Sequence, residues 1–167
     1  MFESITIPRK INEEKLKEVF PFSFSGLNIH DIKKARERIS LFELYQRECF
    51  KKGFDVREII RNSSDIIDEL MTILWNSFIG ENSSHLALIA VGGYGRREQF
   101  LRSDIDLLIL CNEDQIDAES KGRIESFVSF LWDLRLDIGS SVRTIKETVV
   151  ASRNDITIAQ TFLKLTL

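Results

Sequence analysis

Two apolar runs, Ile89–Val91 and Ile105–Cys111, flank a glycine pair and a Ser-Asp-Ile-Asp step in the stretch VGGYGRREQFLRSDIDLLIL, residues 91–110. The glycines end the first run in a turn, and the second run reads as a strand that opens on Asp104 and Asp106. Side chains alternate along a strand, so carboxylates two residues apart point the same way, their Cα atoms about 6.6 Å apart. Such a pair of oxygen donors suits a shared divalent cation. A glycine turn beside it lets backbone approach phosphate closely, because no Cβ holds the ligand off. Acids for a metal next to a cradle for phosphate point to nucleotide chemistry. Asp-x-Asp at the head of an apolar run is weak by itself, since solvated acids commonly begin strands. The glycine pair at this offset gives it meaning.

The chain of 167 residues is long enough for one domain with its own core and a helical preface. Apolar residues make up 43% and charged residues 29%, the balance of an ordinary globular chain. A net charge of −3 argues against broad electrostatic adhesion to nucleic acid. Cys49 and Cys111 lie far apart in apolar surroundings, which reads as reduced core cysteines, not a disulfide framework or a thiolate metal site. No window reaches the roughly 18 apolar residues that span a bilayer. Met1 leads into mixed polar sequence unlike a secretory leader, so the cytoplasm is the expected location.

Helical punctuation dominates residues 1–80. Asn12 caps a short helix to about Phe20, Pro21 and Gly26 mark a turn, and the Phe-rich segment Phe20–Phe24 reads as packing. Ile32, Ala35, Ile39, Phe42 and Cys49 recur at helical spacing between Asp31 and Phe50, and Gly53 stops that helix. Asp55 caps the next. Its stripe of Val56, Ile59, Ile60, Ile67, Leu70, Met71, Leu74 and Phe78 ends at Gly80 and the polar residues 82–84. The two helices are expected to form an antiparallel hairpin against the core built by the second half of the chain.

From residue 81 the pattern becomes α/β (α+β). A buried strand His85–Val91, a glycine turn with a short helix over Gly92–Arg102, and a strand Ile105–Cys111 come first. Next is a helix near Asp117–Asp133, with Ile124, Phe127, Val128, Leu131 and Trp132 on one face. Then come a strand Arg135–Val142, with Leu136 and Ile138 inward, and a helix opened by a capping box at Thr144 and Glu147. The expected division is a helical region, 1–80, and an α/β core, 81–167. Leu167 falls inside a helical pattern, so the expectation is a core truncated at its C-terminus, the front piece of a longer protein.

The segments Gly92–Leu108 and Leu131–Thr144 (LWDLRLDIGSSVRT) resemble two signatures, GGYGRGELHPxSDIDLL and LWDxxLxxGHSVRT. Both belong to the N-terminal catalytic domain of bacterial PII uridylyltransferase/uridylyl-removing enzymes, in the nucleotidyltransferase superfamily typified by DNA polymerase beta. Asp155–Leu165 is similar to that family's next helix. The likeness is specific over the last half of the chain and loose over the first. It implies a nucleotidyltransferase-type mixed sheet with flanking helices and an N-terminal helical hairpin. It also implies an enzyme that uses UTP and Mg2+ to uridylylate a tyrosine of the PII nitrogen-signalling protein, with no nucleic acid or membrane partner. The family's uridylyl-removing and glutamine-sensing activities belong to downstream HD and ACT domains.

By that resemblance Asp104 and Asp106 hold two magnesium ions, and Gly92 and Gly93 let backbone groups meet the triphosphate. Ser103 either caps the turn or touches phosphate. Arg96, the arginine of GYGR, binds phosphate or fixes the acidic strand. Arg143, the arginine of GHSVRT, binds nucleotide or braces the sheet. A third carboxylate comes from the next strand: Asp133 matches the acid of LWD, Asp137 has the strand geometry, and both remain candidates. Arg97 stands where the family has glycine and reads as a surface residue, while Glu98 reads as structural, paired to an arginine. The family's ELHP becomes Glu98-Gln99-Phe100-Leu101, and the histidine of GHSVRT becomes Ser140. Neither change removes a presumed metal ligand; both bear on loop geometry or substrate choice. His30 and His85 form no ligand cluster. Two rival readings stand beside this one: a related nucleotidyltransferase with another nucleotide or acceptor, and an inactive domain that binds nucleotide and regulates.

Overall fold

A computed structural model describes residues 32–80, 84–100, 102–112 and 116–154. The expected Asn12–Phe20 helix, the turn at Pro21 and Gly26, the Phe20–Phe24 packing, His30 and the Asp155–Leu165 helix lie outside the described residues.

Helices α1 (Ile32–Lys51) and α2 (Val56–Phe78) come first. Helix α1 buries Ala35, Ile39, Phe42 and Cys49, the face its spacing predicts, and with them Gln46, whose amide donates to Ser63 of α2. Asp55 caps α2 by accepting from the Arg57 N–H at 2.8 Å. Burial along α2 is concentrated at Ile66, Ile67, Leu70, Met71 and Leu74. Val56, in its first turn, is exposed.

Strand β1 (Leu86–Ala90), the single turn α3 (Gly92–Gly95), β2 (Ile105–Cys111), α4 (Ala118–Asp133), β3 (Ile138–Thr144) and α5 (Ile145–Asn154) complete the order. The sheet runs β1-β2-β3, with β1 antiparallel and β3 parallel to β2. A parallel pair needs a crossover, and α4 supplies it. Ile105, Leu107, Ile109 and Cys111 alternate onto one face of β2 and join Leu70, Leu74, Phe127 and Leu131 in a single apolar cluster. The Phe127 ring stands edge-on to Trp75, centroids 5.4 Å apart, tying α4 to α2. This is the mixed sheet with flanking helices that the sequence leads one to expect.

Several details differ. The sequence pattern predicts a buried β1, yet this strand is an edge of the described sheet, with Ala87 exposed and its other residues half-buried. Helix α3 is one turn, and residues 98–100, like Ser103, lie outside any helix or strand. Strand β3 begins at Ile138, not Arg135. Arg135 takes φ +60 and closes α4 through its N–H to the Trp132 carbonyl (2.9 Å), which delays the extended backbone. Trp132, one residue past the buried Leu131, points off the packed face and is 62% exposed.

The capping box at α5 forms as its spacing requires: the Glu147 N–H donates to Thr144 Oγ1 (3.1 Å) and the Thr144 N–H to Glu147 Oε2 (2.8 Å). Cys49 and Cys111 are buried free thiols, each pushed up in pKa by burial, as inert core cysteines are. His85 Nε2 lies 3.0 Å from Ser120 Oγ, a structural contact between the start of β1 and α4. Among the described residues no helix is long and apolar enough to cross a membrane.

Candidate active site

The β1–β2 register continues one step past Ala90↔Leu107, where the Val91 N–H donates to the Asp106 carbonyl at 3.0 Å. The glycine turn therefore sits over the first residues of β2. Gly92 bends the chain with φ +60, a conformation that side chains rarely adopt. A Cβ at Gly92 would overlap Asp106 Oδ2 and stand 3.1 Å from its Cγ. On the other side, Gly139 of β3 pairs with Asp106, and a Cβ there would lie 2.5 Å from Oδ1. The carboxylate thus lies in a slot between two glycines. Gly92 makes room for an aspartate, a use the sequence alone does not disclose.

Asp106 is half-buried, and loss of hydration raises its pKa. The charge of Asp104 raises it further, while Arg96 pulls it down. Asp104 is exposed, one residue before β2. Asp104 and Asp106 share one parity along the chain entering β2, so strand alternation sets both carboxylates on one side of the sheet. Arg96 Nε donates to Glu98 Oε2 at 2.8 Å, so Glu98 is the arginine-paired acid the sequence anticipates. The Arg96 Nη2 lies 4.0 Å from where a Gly93 Cβ would be, so the guanidinium overhangs Gly93. The guanidinium is thereby held above Gly93, near enough to Asp106 for its charge to act there.

Ser103 closes the turn that leads into β2. Its Oγ accepts from the Phe100 N–H and donates to the Phe100 carbonyl, both at 3.0 Å. Buried Gln99 donates through Nε2 to the Ser103 carbonyl (2.9 Å), an amide tie at a position where the resembled signature has leucine. Ser140 pairs with Leu107, out of phase with Gly139, so strand alternation puts it on the face away from Asp106. Arg143 pairs with Leu110 and shares the face of Gly139, roughly 13 Å further along β3.

The two candidates for a third carboxylate are both exposed but sit differently. Asp133 is the last residue of α4, and its carbonyl accepts from Arg36 Nε at 2.7 Å. The Asp137 carbonyl accepts from the Ile105 N–H at 2.8 Å, which extends the parallel register so that Asp137 stands opposite Asp104. Among the described residues, no three His, Cys, Asp or Glu side chains come together as a metal-holding group.

The turn is also tied from behind. The buried Tyr94 hydroxyl donates to Asp68 Oδ1 of α2 at 2.6 Å; burial first, then this bond, pushes the phenol pKa up. Arg97, at φ +59, pairs with Asp65 of α2 while remaining on the surface. Tyr94→Phe keeps the ring and removes only the tie, so the expected loss is about 1–2 kcal/mol of unfolding free energy in a urea titration. A change below a few tenths would show that the ring alone seats the turn.

Gly139, Tyr94 and Asp68 are the residues that sequence reasoning passes over. A glycine inside a strand pattern signals close approach of another group, and Gly139 carries that signal. Nothing in the sequence pairs Tyr94 with Asp68, 26 residues apart.

The profile of the family described as putative nucleotidyltransferase DUF294 matches residues 42–141. A bifunctional uridylyltransferase/uridylyl-removing enzyme of Pasteurella multocida is 39% identical over 147 residues, 87% of this chain and 16% of that protein. Proteins with the same name from Acinetobacter baumannii and Aliivibrio fischeri are 40% and 36% identical, over 81% and 86% of this chain and 15% and 16% of theirs. The chain spans about 16% of the length of such relatives. No solved structure matches it significantly. With an acid pair, a glycine turn and an overhanging arginine inside the matched span, the chain belongs to the DUF294 nucleotidyltransferase family and is an enzyme domain of the nucleotidyltransferase type.

Proposed function

We propose that this domain transfers UMP from UTP to a tyrosine hydroxyl of the PII nitrogen-signalling protein, in the cytoplasm and with Mg2+ as cofactor. The observation that carries the reading is the Asp104–Asp106 pair under the glycine turn, with Arg96 held above Gly93. The names of the relatives support the uridylyl group. The donors fit magnesium, which takes one or two carboxylates and fills its remaining positions with phosphate oxygens and water. Asp104 and Asp106 would hold the ion, with Asp137 as the third carboxylate. Once bound, the ion neutralises charge on the triphosphate and on the attacking oxygen.

The chain's own residues do the rest. Without a side chain, Gly93 lets phosphates approach its backbone, and Arg96 can exchange Glu98 for a phosphate oxygen, a trade its planar fork allows. Ser103 holds the turn that delivers Asp104 to the head of β2. Arg143, further along the same face, takes a more distant part of the nucleotide in this reading, which its shared parity with Gly139 supports. The tyrosine oxygen bonds to the α-phosphorus as the bridge to the β-phosphorus breaks; pyrophosphate leaves and the phenolic proton passes to water. In this reading residues 1–80 form the helical region beside the catalytic core of 81–167.

The test is transfer of labelled nucleotide to PII with Mg2+ present. UTP is expected to exceed ATP, GTP and CTP by at least about tenfold in kcat/KM. A preference for ATP or GTP would replace this reading with that of a related transferase. Nucleotide binding without transfer to any acceptor would leave a regulatory domain.

A further inference from the structure

We propose that Gly139 is a positioning residue for this reaction: the space left by its missing side chain, facing that left by Gly92, fixes the orientation of the Asp106 carboxylate and so the place of the cation. The inference rests on the reading of Asp106 as a cation ligand.

Three observations carry it. Gly139 is the β3 partner of Asp106, so the two residues face the same side of adjacent parallel strands. A Cβ at Gly139 would meet Asp106 alone within 4 Å: Oδ1 at 2.5 Å, Cγ at 3.7 Å and Cα at 4.0 Å. Third, the left-handed glycines of the described chain are Gly53, Gly80 and Gly92, and Gly139 is not among them. Its backbone therefore has no need of glycine, and a glycine inside a strand otherwise weakens it. What the missing side chain serves is the aspartate.

Gly92 closes the slot from the opposite side, against Oδ2. Each carboxylate oxygen thus borders a glycine, and the observed orientation has room only because neither position carries a Cβ. An alanine at 139 leaves the strand intact and moves only the rotatable end of Asp106. At Gly92 the same change would also strain a φ of +60, so it cannot separate the two effects.

The experiment uses the full chain and two readouts: Mn2+ binding in the presence of UTP, followed by electron paramagnetic resonance, and steady-state transfer. Gly139→Ala is expected to weaken Mn2+ about tenfold and lower kcat about a hundredfold, with the KM for UTP held within about threefold. Its metal-free melting temperature should stay within about 2 °C of wild type. Ser140→Ala, on the other face, should change neither readout. In the double variant Asp106→Asn/Gly139→Ala the loss should equal that of Asp106→Asn alone, because both changes act through one carboxylate.

If Asp106→Asn itself leaves Mn2+ affinity intact, the metal reading of Asp106 fails. If Asp106→Asn removes the affinity while Gly139→Ala retains wild-type Mn2+ binding and kcat, the role of Gly139 alone is overturned. Additive losses in the double variant, or a Gly139→Ala melt lowered by more than about 5 °C, overturn it as well, since either places the effect outside the carboxylate.

Discussion

Asp106→Asn is expected to lower nucleotidyl transfer by at least about 10³-fold in kcat, while the metal-free chain melts no lower than wild type at pH 7. Asparagine has nearly the shape of aspartate, so the slot between Gly92 and Gly139 is refilled without a clash. What disappears is the negative charge that a cation needs. The same charge is a burden on the metal-free chain: loss of hydration comes first, repulsion from Asp104 second, and Arg96 offsets only part. The folded-state pKa of Asp106 is therefore raised above its unfolded value. A carboxyl with a raised folded pKa binds its proton more tightly in the native state. Its contribution favours folding below the unfolded pKa and is lost as pH rises through the folded one. At pH 7 the wild type carries the penalty and the asparagine variant does not. The gap in melting temperature should close as pH falls through the carboxylate range. Thermal melts at pH 7 and pH 4, beside a transfer assay, check both halves. A variant that is clearly less stable than wild type at pH 7 would show that the charge is favourably held without a cation. Greater stability with lost activity is the usual mark of a functional charge.

The elements that create this site are legible wherever local chemistry sets them. Asp55 at α2 and the Thr144–Glu147 box at α5 announce their helices through side-chain bonds spanning at most three residues. The alternation of β2 puts Ile105, Leu107, Ile109 and Cys111 inward and leaves Asp104 and Asp106 on the opposite parity. What stays illegible depends on contacts between distant segments. The Gly139 slot arises from a parallel register across a whole crossover helix, and the Tyr94–Asp68 tie joins the turn to a helix from the first half of the chain. The late start of β3 is due to a left-handed Arg135, a conformation that arginine does not advertise. Trp132 shows the limit of periodicity: one residue beyond a buried leucine, in the last turn of α4, an apolar side chain can leave the packed face.

Asp137→Asn is expected to reduce transfer about a hundredfold, and Asp133→Asn to change it by less than about threefold. The sequence signature favours Asp133, because it supplies the acid of LWD; the backbone favours Asp137. Parallel pairing of Ile105 with Ile138, prolonged by the Ile105 N–H to Asp137 carbonyl bond, sets Asp137 directly across from Asp104. Adjacent strands lie about 4.8 Å apart, a distance that two carboxylates on facing positions can bridge through one cation. Asp133 ends α4, before the Arg135 turn, with its carbonyl tied to Arg36 of α1. Its value to the chain is the end of a helix, where a carboxylate contributes little and an asparagine does as well. Three carboxylates repel one another without a cation, so Asp137 need not converge on the other two until an ion offsets the repulsion. The Asp137→Asn effect should therefore appear as weaker Mn2+ binding together with lower kcat, while the metal-free melting temperature is unchanged. A larger loss from Asp133→Asn than from Asp137→Asn would mean that the register does not extend to the catalytic acids.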